Sequence, residues 1–288
     1  MKRESENALQ LVRPSSLEEF AALGREPGDQ ALAGGTELVP QLRDGLVQAE
    51  RLVQISDVVP RGVQATTIGA GTTLTELEHD TTIPDALREA CRLAASPQLR
   101  NMGTIGGNLL QSTRCWYWRL QFPCRLHGGD VCHARAGQHR EHAIFANDFC
   151  ASAHPSDPAA ALLALGARVR TDRRELPLDL LYRLPTPEDR SLTTLEDGEL
   201  ILELEFDPPL ASTYLKAMDR KRWAFALVGF AAARYDDGVR LALAGVAPIP
   251  WALDSLDALE AAEPLPGNAY KVELAQALGR RAIAAITR

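Results

Sequence analysis

Residues 30–55, QALAGGTELVPQLRDGLVQAERLVQI, decide the fold. Gln30-Ala31-Leu32-Ala33 is a short apolar run of strand length, and Gly34-Gly35-Thr36 interrupts it. Residues 37–43 follow a helical pattern that Gly45 closes, and residues 51–55 (RLVQI) form a second strand-like run. Strand, glycine turn, short helix and strand make a βαβ unit, which pairs its strands in parallel through a right-handed crossover.

Outward from this unit a second begins. Residues 66–71 (TTIGAG) read as strand and turn, and Thr73 with Glu76 makes a Thr-x-x-Glu capping box for a helix over 74–79. Another helix, over 84–95, places Leu87, Ala90, Cys91 and Ala94 on one face and stops at Ser96-Pro97, so Cys91 reads as a small core residue. Periodicity vanishes from 111 to 149, which predicts a long loop that is either functional or pinned. Residues 158–165 return to a helix or buried segment, 167–171 to a strand, and LILELEF (200–206) alternates as a half-buried strand. Beyond Pro208-Pro209 come three strand-like runs (213–217, 224–234 and 239–246), a hairpin signal at Tyr235-Asp236-Asp237-Gly238 and a helix over 272–286. A boundary near 210 therefore separates a βα-rich part from a smaller antiparallel sheet with helix.

The 288 residues are 45% hydrophobic and 24% charged, which excludes a disordered chain or a coiled coil. A net charge of −7 disfavours nucleic acid or an anionic membrane surface as partner. No apolar run approaches the roughly 18 residues of a membrane span. The opening Met1-Lys2-Arg3-Glu4-Ser5-Glu6 is acidic early and lacks the apolar stretch of a signal peptide, which predicts a cytoplasmic protein. The anomaly is cysteine: of five, four (Cys115, Cys124, Cys132, Cys150) crowd into a 36-residue window.

Three constellations carry chemistry. Residues 33–37 (AGGTE) and 103–108 (GTIGGN) are glycine loops with a threonine or asparagine alongside. Glycines allow backbone N–H groups to converge on a phosphate oxygen. Each loop is also readable as a plain turn, but two together point to a diphosphate held between them. Gly69-Ala70-Gly71 approaches a Rossmann fingerprint, yet Leu74 stands at the third glycine position and no acidic residue ends a suitable next strand. The spacing Cys115-x8-Cys124-x7-Cys132-x17-Cys150 supplies four thiolates, enough for a tetrahedral zinc or a cubane iron–sulfur cluster. Paired C-x2-C knuckles are absent, which leans towards the cluster. The neighbouring His127, His133, His139, His142 and His154 read as hydrogen-bonding or surface groups. Two single charges remain. Asp157 either caps the following helix or meets a ligand hydroxyl, and Lys216 is either a solvated strand residue or a cation near an electron-rich ring.

These residues carry a resemblance. LAGGTELVPQLRDG (32–45), QLRNMGTIGGNL (98–109), AHPSD (153–157), GELILELEF (198–206), YLKAMDR (214–220) and AFALVGFAAA (224–233) resemble the FAD-binding subunit of molybdenum hydroxylases. That is the xanthine dehydrogenase, aldehyde oxidoreductase and carbon monoxide dehydrogenase group. TRCWYWRLQFPC (113–124), GGDVC (128–132), QHREHAIF (138–145) and FCASAHPSD (149–157) are similar to the subgroup with an extra 4Fe–4S cluster. The resemblance implies an α+β fold: a two-subdomain FAD-binding module of the vanillyl-alcohol oxidase (PCMH) type over 1–210, with subdomains of about 1–60 and 61–210. A small α+β C-terminal domain like that of carbon monoxide dehydrogenase flavoproteins covers 211–288.

It also implies where cofactors sit. The FAD diphosphate falls on Leu32, Ala33, Gly34, Gly35, Thr36, Glu37 and Leu38, and on Gly103, Thr104, Ile105, Gly106, Gly107 and Asn108. Asp157 falls near the ribityl or ribose hydroxyls, Leu202 against the isoalloxazine, and Lys216 close to the ring, where a cation favours reduced flavin. Cys115, Cys124, Cys132 and Cys150 become the 4Fe–4S ligands. The implied role is electron transfer from a molybdenum large subunit and a 2Fe–2S small subunit, through FAD, to a soluble acceptor. Recognition elements of NAD-reducing members are not found, so the acceptor stays open. Related complexes are exported folded on a partner's signal, which keeps the periplasm open beside the cytoplasm. A free-standing flavoprotein oxidase of the same fold and a zinc-stapled binding module are the alternatives.

Overall fold

A computed structural model of the chain describes residues 9–23, 26, 28–220 and 222–288; the opening six residues read above lie outside these. Three sheets organise it. The first is parallel, with β1 (Gln10–Val12), β2 (Asp29–Leu32) and β3 (Arg51–Gln54) in the order β1-β3-β2. Helices α1 (Leu17–Ala22) and α2 (Leu38–Arg43) make the crossovers, so the expected βαβ unit is present. Asp29 and Arg51 face each other across β2 and β3 and pair at 2.5 Å.

The second sheet joins distant segments: β4 (Val63–Gln64), β5 (Thr67–Gly69), β6 (Arg168–Thr171), β7 (Glu175–Pro177) and β8 (Ile201–Glu205), in the antiparallel order β4-β5-β8-β6-β7. Between β5 and β6 lie α3 (Leu74–His79), α4 (Asp85–Leu93), α5 (Pro97–Arg100), α6 (Ile105–Leu109), α7 (Trp116–Arg119), α8 (His133–Ala136) and α9 (Asp157–Ala164). The Thr73–Glu76 capping box forms as read, and Cys91 is fully buried on α4. Gly69 and Gly71 are glycines for a chain contact. A Cβ on Gly69 would lie 2.4 Å from the Pro60 carbonyl oxygen, and Gly71 N–H donates to that same oxygen.

The third sheet is an antiparallel meander, β9 (Ala211–Ala217), β10 (Val228–Tyr235), β11 (Gly238–Ala244) and β12 (Trp251–Leu253), followed by α10 (Tyr270–Ile286). Its alternation explains the run AFALVGFAAA. Ala231, Ala233, Ala242 and Ala244 face the core that contains α4 and α9, while Phe230, Leu241 and Leu243 face α10. A sheet buried on both faces needs apolar residues at every position, and alanine on one face lets helices approach closely. The break near 210 thus falls between β8 and β9, and the core runs across it.

The aperiodic stretch contains only short turns of helix, namely α7, a 3-10 turn over Arg125–His127, and α8. Its far end is pinned beneath α10. The buried Lys271 donates to the carbonyls of Glu141, His142 and Gly245 at 2.8 Å, and Asn268 donates to those of His142 and Ala143 at 3.0 Å.

Candidate functional site

The turn from β2 into α2 is open to a ligand by construction. Gly35 takes a φ of +71°, a left-handed conformation that glycine adopts without strain. Among the described residues, the N–H groups of Gly34, Gly35, Thr36, Glu37 and Leu38 have no acceptor in the chain, so a run of free donors precedes α2. An anion is the natural partner for such a run. The second glycine loop differs. There Ile105 donates to Thr72, Gly106 to Ala70 and Gly107 to Thr104 Oγ1, which N-caps α6. That loop offers side chains and glycine-sized space more than free amides.

The two loops touch. A Cβ on Gly34 would fall 1.7 Å from the Met102 carbonyl oxygen, so glycine there is demanded by the neighbouring backbone. Gly106 is likewise confined, 2.9 Å from Ala70 Cβ, whereas Gly107 would meet only its own cap, Thr104 Oγ1, at 3.1 Å. Both loops line one cleft of about 1290 Å³, roomier than the roughly 300–1,000 Å³ of a typical small-molecule pocket.

The sequence-predicted residues divide. Residues 33–38, Gly103, Thr104, Gly106, Gly107, Asn108 and Asp157 line the cleft. Leu32 ends β2 beside it, and Ile105 is buried beneath it. Leu202 lies in the core on β8, while its neighbours Leu200 and Ile201 line the cleft. Lys216 does not line it either. It forms a buried ion pair with Asp157 at 2.6 Å and donates to the Leu93 carbonyl at 2.9 Å. Tyr214 donates to the other carboxylate oxygen at 2.5 Å, reaching it over Gly229, where any Cβ would lie 2.0 Å from its hydroxyl. Burial and the Asp157 charge push the Tyr214 hydroxyl's pKa well up. Asp157 is therefore tied within the chain, and the cap of α9 is Ser156, whose hydroxyl accepts from Ala159 N–H.

Sequence reasoning missed Arg114 and Arg119. Both pair with Glu37, Arg114 at 2.5 Å, and so bring the start of the cysteine loop against the first glycine loop. The Arg114 guanidinium lies over Phe225, 4.8 Å from the ring centroid, and its buried Nε has no acceptor. Desolvation lowers its pKa despite Glu37. A buried N–H without a partner at the edge of a cleft is a site for a ligand atom. In the sequence these arginines stand in a stretch without periodicity, so nothing marked their partner.

Cys115, Cys124, Cys132 and Cys150 all line a second, small pocket with Tyr117, Trp118 and His133, and none is in a disulfide. Burial pushes the Cys115 thiol up to about 11 and Cys150 up to about 12, so both keep their protons at neutral pH. No group of three or more His, Cys, Asp or Glu among the described residues is gathered closely enough to hold a metal ion. The thiols border a common space without converging on one point. His142, buried beside them, is pushed down to about 4 by desolvation and the charge of Lys271, and is neutral.

Two touching glycine loops, the first with open amides, line one large cleft on this α+β frame, which makes a module suited to a dinucleotide cofactor. Residues 7–208 match the family described as the FAD-binding domain in molybdopterin dehydrogenase. The chain is 34% identical to the aldehyde oxidoreductase FAD-binding subunit PaoB of Escherichia coli (strain K12), over 88% of this chain and 89% of that one. It is 28% identical to the carbon monoxide dehydrogenase medium chain of Hydrogenophaga pseudoflava, over 94% and 84%. A solved carbon monoxide dehydrogenase from Hydrogenophaga pseudoflava superposes with a TM-score of 0.69 at 23% identity, covering 96% of both chains. The chain belongs to this family: it is an FAD-binding subunit of the molybdenum hydroxylase type, with the fold of the carbon monoxide dehydrogenase medium chain.

Proposed function

We propose that the chain is the electron-transferring FAD subunit of a multi-subunit molybdenum hydroxylase acting on aldehydes or purine-like substrates, with a 4Fe–4S cluster held by Cys115, Cys124, Cys132 and Cys150. The observation that carries the flavin assignment is the run of unpartnered N–H groups over residues 34–38 at the mouth of the cleft. These amides bind the diphosphate. Gly107 leaves space for its close approach, and Thr104 and Asn108 add side-chain donors. Arg114 supplies Nε–H to a flavin or phosphate oxygen while Glu37 holds its guanidinium in place. Asp157, locked by Lys216 and Tyr214, fixes the wall on which the ribityl side rests. Lys216 acts on the ring through that carboxylate. When bound, FAD takes up electrons in pairs and releases them to an acceptor.

Four thiols around one pocket fit a polynuclear cluster, whose corners each take one cysteine. The loose spacing of the four cysteines, without paired C-x2-C knuckles, favours the cluster over a tetrahedral zinc. The large molybdenum subunit and the 2Fe–2S subunit named for related complexes are the expected partners. The acceptor is soluble.

Metal and flavin analysis of the purified native complex tests this. About four irons per chain and one FAD support the reading; zinc in place of iron removes the cluster, and a chain without flavin removes the function.

A further inference from the structure

The imidazole of His142 is 1% exposed, and its Nε2 lies 3.2 Å from Cys115 Sγ. Its ring is set edge-on against Trp116, with centroids 4.8 Å apart, and its Nδ1 has no partner. The backbone holds the residue still: its N–H donates to His139, and its carbonyl accepts from both Lys271 and Asn268. A neutral imidazole carries one N–H. A buried N–H without an acceptor is rarer and more costly than a lone pair without a donor, so the proton belongs on Nε2, where the sulfur accepts it. A ligating thiolate has only lone pairs to offer, which demands the same tautomer.

We infer that His142 is a positioning residue for the cluster, donating an Nε2–H···Sγ hydrogen bond to Cys115 that raises the reduction potential. This rests on the 4Fe–4S assignment proposed above. A hydrogen bond to a cluster sulfur favours the state with more negative charge, and the donor here is a buried imidazole that solvent does not compete for. Cys150 has its own such contact in Ser152: its thiol donates to the hydroxyl at 3.3 Å, a bond whose direction reverses when the sulfur is a thiolate. Bonds of this kind sit on particular sulfurs, so the four corners of the cluster are unequal.

The test is an EPR-monitored redox titration of the cluster in the intact complex, wild type against His142→Phe, which keeps a ring against Trp116 and removes the donor. The expected variant retains iron and is about tenfold harder to reduce, about 59 mV for one electron. Pulsed EPR of the reduced wild-type cluster, with ¹⁵N-labelled histidine, reads the same bond without a substitution and detects a weakly coupled histidine nitrogen. Iron in both proteins with an unchanged potential, or a wild-type cluster without that coupling, overturns the role of His142 and leaves the cluster standing. A wild-type complex without iron overturns the cluster assignment, and the role of His142 with it.

Discussion

Two glycine-to-alanine changes, at Gly34 and Gly107, separate the reasons for glycine in this cleft. At Gly34 the new methyl would lie 1.7 Å from the Met102 carbonyl oxygen, where contacts shorter than 3.0 Å are not tolerated. The two loops must then part by about 1.3 Å, the difference between those distances. The obstacle is backbone, so no rotamer change relieves it. Overpacking of this kind costs about 1–3 kcal/mol, and at roughly 2–4 °C per kcal/mol the melting temperature falls by about 2–12 °C. The loss appears without flavin, because the clash is internal. At Gly107 the methyl meets only Thr104 Oγ1, at 3.1 Å, a hydroxyl that gives by a few tenths of an ångström. Gly107→Ala therefore melts within about 0.5 kcal/mol of wild type when stripped of flavin, and it binds FAD more weakly, because the methyl occupies the approach to the diphosphate. Thermal melts of flavin-stripped and FAD-saturated protein, with FAD titration by fluorescence quenching, give both quantities. Flavin-stripped Gly34→Ala melting with wild type would refute the packing argument. Gly107→Ala with wild-type FAD affinity would refute the placement of the diphosphate.

Asp157→Asn leaves Lys216 buried without its counter-charge and should lower stability by roughly 3–5 kcal/mol; a denaturation midpoint equal to wild type would show that the pair is not closed as described. Cys124→Ser should abolish the broad visible absorbance of the cluster and keep stoichiometric FAD, and loss of flavin with iron intact would contradict the division into two sites. Arg114→Met should weaken FAD binding by about tenfold, the loss of one charge-assisted hydrogen bond, with the melting temperature of the flavin-stripped chain little changed; unaltered affinity removes Arg114 from the flavin site. Burial pushes His154 down to about 4, against about 6.5 in an unfolded chain. The unfolded state thus binds the extra proton first, and stability present above pH 6.5 falls by roughly 3 kcal/mol as pH drops through 4. His154→Gln should flatten that limb in acid titrations followed by circular dichroism, and an equally steep limb would assign it to other groups.

What was legible in the sequence is what local chemistry dictates. The βαβ unit, the Thr73–Glu76 capping box, the helix over 84–95 and the 235–238 hairpin each rest on residues within a few positions of one another. Gly69-Ala70-Gly71 departs from a dinucleotide fingerprint in sequence, and the structure gives its glycines a further reason in the close approach of Pro60. The pairing of Asp157 with Lys216 was not legible: each reads singly, Asp157 as a helix cap or a ligand contact and Lys216 as a solvated strand residue or a cation near the ring, because nothing within either segment places β9 beside the start of α9. Of the two readings of Asp157, the cap of α9 falls instead to Ser156, one residue earlier, since its hydroxyl reaches Ala159 N–H while the carboxylate turns inward. Leu202, which the motif sets against the ring, lies in the core on β8, and Leu200 and Ile201 beside it line the cleft. Gly34 and Gly107 looked alike in sequence, and only the position of Met102 distinguishes them.

The cysteine loop joins the two sites through its own covalent chain. Arg114, held by Glu37 at the open glycine loop, is followed directly by Cys115 of the second pocket. From there the loop passes Cys124 and Cys132, and its end is fastened to α10 by Lys271 and Asn268 before Cys150 returns it to the turn of His154, Ser156 and Asp157. Both ends of the cysteine window therefore abut the cleft: one through Arg114, the other through the segment that positions Asp157. Cys124 belongs to neither connection, since the Arg125 guanidinium beside it bonds only to carbonyls of the loop itself. This is why a change at Cys124 is expected to spare the flavin, and why the same change at Cys115, one residue from Arg114, is the wrong place to ask whether the two sites are independent.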